Sequence, residues 1–277
     1  MKLFFSFCLA ILFITLPKNM VQGQSSNDYS PQFSNDMEEI VFYSYRNGDG
    51  RIYTMNIDGS EQKELTGGEG NDIEPRWSPN DEYIIYSSTI DGIANVYKLD
   101  PKSKTVDQLT HFEKGFTGPV RWFANGKIYF RRDPNPDNSP QEELWVMDED
   151  GSNQNKLMAF PKGQYGLDVG HKQEKVYFSA PNEEGKQDVY VSNIDGSSIV
   201  KLTEVAGNTG SLNVSPNGKQ ILFNANSTGN EEIYIMDKSG ENIKRLTYTD
   251  QNEYFFAFSS DGKKIVFDSE RNGAGDI

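Results

Sequence analysis

Apolar and aromatic residues occur along this chain in short runs, and polar segments rich in Gly, Asn, Asp and Pro separate the runs. Four such runs make a unit, and the unit recurs six times. Each unit has an aromatic or β-branched residue directly before a turn, at intervals of 44 to 47 positions: Phe33, Trp77, Trp122, Val169, Val214 and Phe258. Runs of this length and composition are typical of β-strands, so each unit predicts a four-stranded antiparallel meander.

The later runs of each unit repeat with the same chemistry. The second run is β-branched and aromatic: IVFYS (40–44), YIIYS (83–87), KIYF (127–130), KVYFS (175–179), QILFN (220–224) and KIVFD (264–268). The third run resembles IYTM (52–55), and the fourth ends in Leu-Thr in four units but in Leu157-Met158 in the third. Turns such as SPNG (215–218) and IDGS (57–60) separate the runs, because Gly, Asn and Asp readily adopt the positive φ that tight hairpins need.

A single four-stranded sheet cannot bury both of its apolar faces, whereas radial repetition of the sheet can. The sequence therefore predicts an all-β fold, a six-bladed β-propeller of four-stranded antiparallel blades. The sixth blade is expected to be incomplete, because the sequence stops at Asp276-Ile277, where its third strand should begin. We expect either a fragment of a longer chain or a blade whose remaining strands come from a partner.

The N-terminal residues predict a cleavable secretory signal peptide. Lys2 precedes an apolar run from Leu3 to Leu16. Fourteen helical residues span about 21 Å, less than the roughly 30 Å of a bilayer core, and a retained anchor is the alternative. We expect a periplasmic or secreted protein with no transmembrane segment after cleavage. The expected division is a signal peptide at 1–23, a disordered leader at 24–30 and a propeller at 31–277.

The net negative charge of the chain makes some classes of partner unfavourable. Its formal net charge is −14, and the loss of Lys2 and Lys18 with the signal peptide makes it −16. A surface of this sign disfavours nucleic acid, and we expect no nucleic-acid partner. The single cysteine, Cys8, lies in the signal peptide, so a secreted mature chain would be held by its core without disulfides.

Three motifs carry a resemblance to a known family: PRWSPNDEYIIYSS (75–88), FSSDGKKIVFDSERNG (258–273) and IYIMDKSG (233–240). They resemble the TolB-like propeller repeat, also called the WD40-like or PD40 repeat, and the resemblance covers about residues 31–277. It implies a Tol–Pal-like role in the cell envelope, with a protein partner such as a peptidoglycan-associated lipoprotein. The repeats are also similar to the propellers that precede the hydrolase domain of prolyl-oligopeptidase-like peptidases.

Patterns that would indicate catalysis or metal binding are weak. No Gly-x-Ser-x-Gly motif is present, and the two histidines, His111 and His171, fall at different loop positions of the repeat. The segments DEDGS (148–152) and NGDG (47–50) do not continue to the glutamate that a calcium loop requires. We therefore predict no catalytic residue, no metal site and no cofactor.

Other conspicuous residues have structural interpretations. Trp77 and Trp122 occupy one position of the repeat, which predicts wedges packed between neighbouring blades rather than a sugar-stacking platform. The paired acids Glu142-Glu143 and Glu231-Glu232 lie beside loops, and we expect them to face water.

The loops predict where a ligand would bind. In an up-and-down blade, the loop after the second strand and the link to the next blade lie on one face, and here these loops vary in length. First-strand residues near this face should ring the mouth of the central channel. The candidate partner-binding residues are Glu74, Arg76, Arg121, Tyr165, Asp168, Asn213 and Tyr254.

The sequence thus predicts a secreted or periplasmic, non-enzymatic propeller that mediates protein–protein interaction at the cell envelope. The alternatives are a carbohydrate-active propeller enzyme that works from the channel, or the N-terminal propeller module of a longer prolyl-oligopeptidase-like hydrolase.

Overall fold

The computed structural model describes residues 27–136, 141–205, 207–270 and 274–277. Over these ranges the chain forms 22 β-strands. None of the residues described belongs to a helix long and apolar enough to cross a bilayer. The predicted signal peptide and residues 24–26 of the predicted leader lie outside the described residues.

The strands follow the repeat closely. The first three units contain β1 (Asp28–Phe33), β2 (Glu39–Ser44), β3 (Arg51–Asn56), β4 (Lys63–Glu64), β5 (Asp72–Trp77), β6 (Ile84–Ser88), β7 (Asn95–Leu99), β8 (Val106–Gln108), β9 (Phe116–Trp122), β10 (Lys127–Asp133), β11 (Glu143–Asp148) and β12 (Asn155–Ala159). The last three contain β13 (Leu167–Val169), β14 (Lys175–Pro181), β15 (Gln187–Asn193), β16 (Val200–Lys201), β17 (Thr209–Val214), β18 (Gln220–Ala225), β19 (Glu232–Asp237), β20 (Lys244–Arg245), β21 (Glu253–Phe258) and β22 (Ile265–Ser269).

The sheets confirm an all-β propeller of four-stranded antiparallel blades. Five sheets have four strands each, and within each sheet every strand pairs with its neighbour in sequence. The sheet of β21 and β22 has two strands, and an isolated antiparallel bridge joins Ser269 of β22 to Asp276. The described residues therefore form five four-stranded blades and one two-stranded sheet.

The first strands form the inner wall. Each first strand contacts the first strands of the neighbouring sheets, and β1 also contacts β21, so that the ring closes. The six residues that mark the repeat are the last residues of these strands. Trp77 packs with Val41 and Ile52 of the preceding blade, which confirms its predicted role as a wedge. Trp122 likewise packs against a cluster that includes Ile85.

The N-terminal boundary of the propeller differs from the sequence prediction. Residues 28–30 were expected in a disordered leader, but they belong to β1. The Asp28 carboxylate pairs with Arg46 at 2.7 Å, and the Tyr29 ring lies 5.5 Å from the ring of Tyr43. The Asp28 amide also donates to the Gly275 carbonyl at 3.0 Å. These partners are distant in sequence, so the polar composition of the segment did not reveal its strand.

A repeated serine explains the turns that follow the first strands. Ser78 Oγ donates to Asn80 Oδ1 at 2.7 Å and accepts a hydrogen bond from the Tyr83 amide at 2.9 Å. This local pairing fixes the turn from both sides, as short polar side chains do in such turns. The same pair of hydrogen bonds is made by Ser34, Ser215 and Ser259.

Candidate functional site

A cavity of about 380 Å³ lies inside the ring of first strands. We call it the channel cavity. All six first strands line it, and the lining from these strands comprises Ser30, Pro31, Gln32, Glu74, Arg76, Pro119, Val120, Leu167, Asp168, Ser211, Leu212, Asn213, Phe255, Phe256 and Ala257. Arg131, Glu142, Gln164, Tyr165 and Gly166 complete the wall. This volume is in the range of small-ligand sites, and the lining combines apolar surface with a few charges.

Five of the seven residues that the sequence predicts at the channel line this cavity. They are Glu74, Arg76, Tyr165, Asp168 and Asn213. The other two, Arg121 and Tyr254, do not line it. Arg121 instead contacts a lining residue, Asp168, and Tyr254 directly precedes the lining residue Phe255.

Bulges in the first strands direct side chains into the channel. The pairing of β1 with β2 shifts register between Tyr29 and Gln32, and the pairing of β5 with β6 shifts between Ile73 and Arg76. At these bulges Ser30 and Glu74 have φ values of 55° and 56°. Left-handed backbone is uncommon for residues other than glycine, and such conformations concentrate at functional sites.

Arg131 links two carboxylates of the cavity wall. Its guanidinium contacts Glu74 and Glu142, and it lies 4.7 Å from the centre of the Phe116 ring. Burial opposes the charge of Arg131, but Glu74 and Glu142 together raise its pKa. The three side chains come from different elements, so this network ties the second blade to the third.

The predicted position of Glu142 was wrong. It was expected to face water beside a loop, but it lines the cavity, and burial raises the pKa of its carboxyl. Its Oε2 atom is buried and accepts no hydrogen bond from any described residue. Glu232, expected in water for the same reason, is fully buried against Arg245. In both cases the fold brings an arginine next to the acid: Arg131 beside Glu142 and Arg245 beside Glu232. These contacts depend on strand pairing and are not visible from the acid's nearest neighbours in sequence.

Asp168, in the fourth blade, binds groups of both neighbouring blades. Its carboxylate forms a bidentate pair with Arg121, with a distance of 2.9 Å from Arg121 Nε to Asp168 Oδ1. It also accepts a hydrogen bond from the Val214 amide of the next blade at 2.7 Å. The side chain is almost completely buried. Asp168 is therefore a structural clamp as well as part of the cavity wall.

The clamp recurs at the same position of the repeat, one residue before the end of the first strand. Gln32 Oε1 accepts from the Trp77 amide at 2.8 Å, and Asn213 Oδ1 accepts from the Phe258 amide at 3.0 Å. Gln32 was missed as a cavity residue. The repeat could have identified it, because Gln32 precedes Phe33 as Arg76 precedes Trp77.

Arg76 occupies this repeat position in the second blade but makes no ion pair with any described residue. Its Nη1 donates to the Pro75 carbonyl at 2.8 Å and to Ser30 Oγ at 3.1 Å, and its Nε donates to the Val120 carbonyl at 3.4 Å. Burial lowers the pKa of Arg76. The hydrogen bonds of Arg76 thus all go to neutral groups, while Glu74 and Asp168 favour its charge through space without contact.

Tyr165 is the exposed aromatic residue of the site. Its side chain is 65% exposed although it lines the cavity. It precedes β13 and therefore lies on the face from which that first strand begins. A tyrosine in this position offers an apolar ring and a hydroxyl to a ligand at low conformational cost.

The segment DEDGS and the two histidines are ordinary turn and loop residues. Asp148 of the segment DEDGS pairs with Lys127, and Asp150 accepts a hydrogen bond from the Ser152 amide at 2.9 Å, as in a tight turn. His111 and His171 are exposed loop residues. Within the described ranges, no group of three or more His, Cys, Asp or Glu side chains is arranged to hold a metal ion.

Solved structures of known proteins share this fold. TolB from Acinetobacter baumannii is 17% identical with a TM-score of 0.67, covering 80% of this chain and 54% of that one. A putative TolB from Agrobacterium tumefaciens is 17% identical with a TM-score of 0.69, covering 87% and 90%. An oligogalacturonate lyase from Vibrio parahaemolyticus is 12% identical with a TM-score of 0.60, covering 91% and 88%. At these identities the likeness concerns the fold alone, and this chain spans about half the length of the Acinetobacter protein.

The family is shown by sequence. A search of curated proteins found no match. A family model, the TolB beta propeller domain (PD40), matches residues 13–135 and 112–277. These matches cover nearly the whole chain and include every strand described above, so the chain belongs to the TolB beta-propeller domain family.

Proposed function

We propose that this chain is a binding propeller that receives a protein partner at the channel cavity. The observation that carries the proposal is that the arginines at the cavity differ in whether a carboxylate pairs with them. Arg131 and Arg121 are engaged in ion pairs that hold blades together, whereas Arg76 has no carboxylate partner among the described residues. Arg76 and the exposed ring of Tyr165 are therefore not used to hold the blades together, and both can contact a partner at the cavity.

The proposal places the protein in the cell envelope. Residues 1–23 have the pattern of a secretory signal peptide, and the family relationship suggests a Tol–Pal-like role with an envelope lipoprotein as the partner. Cleavage after Gly23 would give a mature protein that begins at Gln24. N-terminal sequencing of the protein from the cell envelope checks this directly, and an intact Met1 in that fraction would refute the cleavage.

We also propose that β21 and β22 form the inner half of a sixth blade. Their strands contact β1 and β17, and the last strand residue of β21 is Phe258, at the wedge position of the repeat. The bridge between Ser269 and Asp276 lies where a third strand of that blade would begin.

Site-specific photo-crosslinking in cells of the source organism tests the binding proposal. A photoreactive phenylalanine analogue replaces Tyr165 at the cavity, and the same analogue replaces Ile199 as the control. Ile199 is a 50% exposed apolar residue in the turn between β15 and β16, on the opposite face. We expect a discrete protein adduct from position 165 and none from position 199. Equal adducts from both positions, or none from either, would contradict binding at this cavity.

One observation favours a second function. Glu142 lines the cavity, and burial raises the pKa of its carboxyl, as a general acid would require. One fold neighbour is an oligogalacturonate lyase. A carbohydrate-active enzyme would turn over oligogalacturonates, and Glu142→Gln would abolish turnover while Glu184→Gln, at an exposed site, would preserve it. If the native protein does not turn over oligogalacturonates, the enzyme alternative is excluded and the binding proposal remains.

A further inference from the structure

Arg76 retains hydrogen-bond donors that point to a ligand. The hydrogen bonds of its Nε and Nη1 atoms go to two backbone carbonyls and one hydroxyl. Its Nη2 atom makes no hydrogen bond to a described residue, and it is not among the atoms shut off from solvent. Two N–H donors of a guanidinium therefore remain available in the cavity, and a carboxylate or a phosphate group is the partner that such a group binds best.

Ser30 adds a second donor beside Arg76. Its side chain is almost fully buried and lines the cavity. Its Oγ accepts the hydrogen bond from Arg76 Nη1 at 3.1 Å, and its own hydroxyl proton reaches no acceptor among the described residues. The bulge in β1, with φ 55° at Ser30, holds the hydroxyl in this position. The two side chains thus come from neighbouring first strands and converge on one place.

The neighbouring carboxylates do not neutralise Arg76 by contact. Glu74 and Asp168 act on its charge through space, but Glu74 is held by Arg131 and Asp168 by Arg121. The three arginines (Arg76, Arg121 and Arg131) balance three acids (Glu74, Glu142 and Asp168) in formal charge. A fourth acid, Asp268, accepts a hydrogen bond from the Ser30 amide, and burial raises its pKa to about 7. The cavity therefore suits a ligand with one negative charge rather than a polyanion.

The rest of the wall indicates what surrounds that charge. Leu167, Leu212, Phe255 and Phe256 present apolar surface, and Tyr165 presents an exposed ring. The whole chain carries a formal charge of −14, which repels a polymer with an acid on every unit. The C-terminus of a peptide has a single carboxylate, ionised at neutral pH, next to side chains that fill an apolar wall.

We infer that the channel cavity binds the C-terminal carboxylate of a peptide or protein, with Arg76 and Ser30 as the groups that receive the carboxylate. This inference rests on the proposed function as a binding propeller and names the part of the partner that enters the cavity. A partner held in this way places its last few residues against the wall of the channel cavity, which has a volume of about 380 Å³.

The test compares free and amidated peptides. Two pools of N-acetylated random pentapeptides, one ending in a carboxylate and one in a carboxamide, are equilibrated with the purified protein at pH 7. Retained peptides are quantified by mass spectrometry. We expect the protein to retain the free-acid pool at least tenfold more strongly. Arg76→Gln should abolish this preference, Ser30→Ala should reduce it several-fold, and Lys244→Gln should leave it unchanged. Lys244 is an exposed residue of β20, so its substitution makes the same change of net charge away from the cavity.

Each contrary outcome has a distinct meaning. Equal retention of both pools would overturn carboxylate recognition while the binding proposal stood. Retention of neither pool would overturn the peptide inference, whereas the binding proposal would stand or fall with the crosslinking from position 165. Trigalacturonate that displaced the free-acid peptides and bound more tightly than they do would assign the cavity to an acidic sugar and overturn the peptide inference. The comparison of pools on the native protein decides the outcome even if Arg76→Gln fails to fold, and Arg76→Lys then serves as the variant that keeps the charge but loses the planar fork.

Discussion

At the scale of single residues, the charged groups at the channel cavity differ in whether an opposite charge pairs with them. Arg76 and Arg121 stand at the same position of the repeat, 45 residues apart, but only Arg121 has a carboxylate in reach. That carboxylate, Asp168, is buried and holds the Val214 amide of the next blade. A buried charge with several hydrogen bonds is costly to disturb, because the groups left behind lose their partners without regaining water.

Replacement of Asp168 by alanine should therefore weaken the fold. We expect a loss of about 3 kcal/mol in the free energy of unfolding, because Arg121 and the Val214 amide lose their acceptor. Urea denaturation measures it. Asp195→Ala is the control, since Asp195 lies in an exposed hairpin turn and removes the same charge. Equal midpoints for the two variants would contradict the role of Asp168 as a clamp.

Asp268 should make stability depend on pH. Burial raises the pKa of this carboxyl to about 7, against 3.8 for the ordinary group, although the Phe255 amide donates to it at 2.7 Å. Because the folded pKa is the higher one, its stabilising contribution is complete below pH 4 and is lost as the pH rises to 7. Over that window the contribution should fall by up to about 1.4 kcal/mol per pH unit.

The Asp268→Asn variant isolates this contribution from the other titrating groups. The stability of the variant relative to the native protein should rise between pH 4 and pH 7 and then remain constant. Thermal denaturation at a series of pH values measures the difference. Parallel profiles for the two proteins would show that Asp268 does not titrate in this range.

At the scale of the strand, the Leu-Thr pairs that end four of the units explain how the outermost strands are held. Each pair binds one residue of the third strand from both sides. In the second blade the Leu109 amide donates to the Val96 carbonyl, and the Val96 amide donates to Thr110 Oγ1, both at 2.9 Å. Outer strands of only two or three residues are thereby fixed. The third blade has Leu157-Met158 instead, and its outer strand, β12, is longer, with five residues.

The side-chain hydrogen bond of Thr110 can be tested with an isosteric change. Thr110→Val keeps the volume but removes the acceptor of the Val96 amide and the donor to Asn95 Oδ1. We expect a loss of about 1 to 3 kcal/mol, the cost of a buried donor left without a partner. Thr105→Val, in an exposed turn of the same blade, is the matched control and should change the unfolding midpoint little. Equal effects would mean that this hydrogen bond contributes nothing specific.

At the scale of the whole molecule, the repeat made the fold predictable. The wedge residues end the first strands as expected, because hairpin turns depend on local chemistry such as the Ser78 to Asn80 hydrogen bond. The channel position of Glu74, Arg76 and Asp168 followed from the same repeat and the up-and-down topology.

The partners of these residues could not be predicted in the same way. Arg131 meets Glu74 across 57 positions of sequence, and it lies outside the first strands on which the repeat argument rests. Glu142 stands beside a polar loop and was expected in water, whereas the fold encloses it with Arg131. The difference between Arg76 and Arg121 also depends on a single acid one blade away from Arg121. Such pairings are decided by tertiary packing, and one sequence does not display them.

Hydrogen exchange of the complex with the crosslinked partner tests the central claim, that the channel cavity is the recognition site. The backbone amides of residues 164–168, 211–213 and 255–257 should become protected when the partner is added in excess. The turns on the opposite face, such as 57–60 and 194–199, should exchange at the rates of the free protein. Protection confined to those turns, with unchanged exchange around the cavity, would contradict the account.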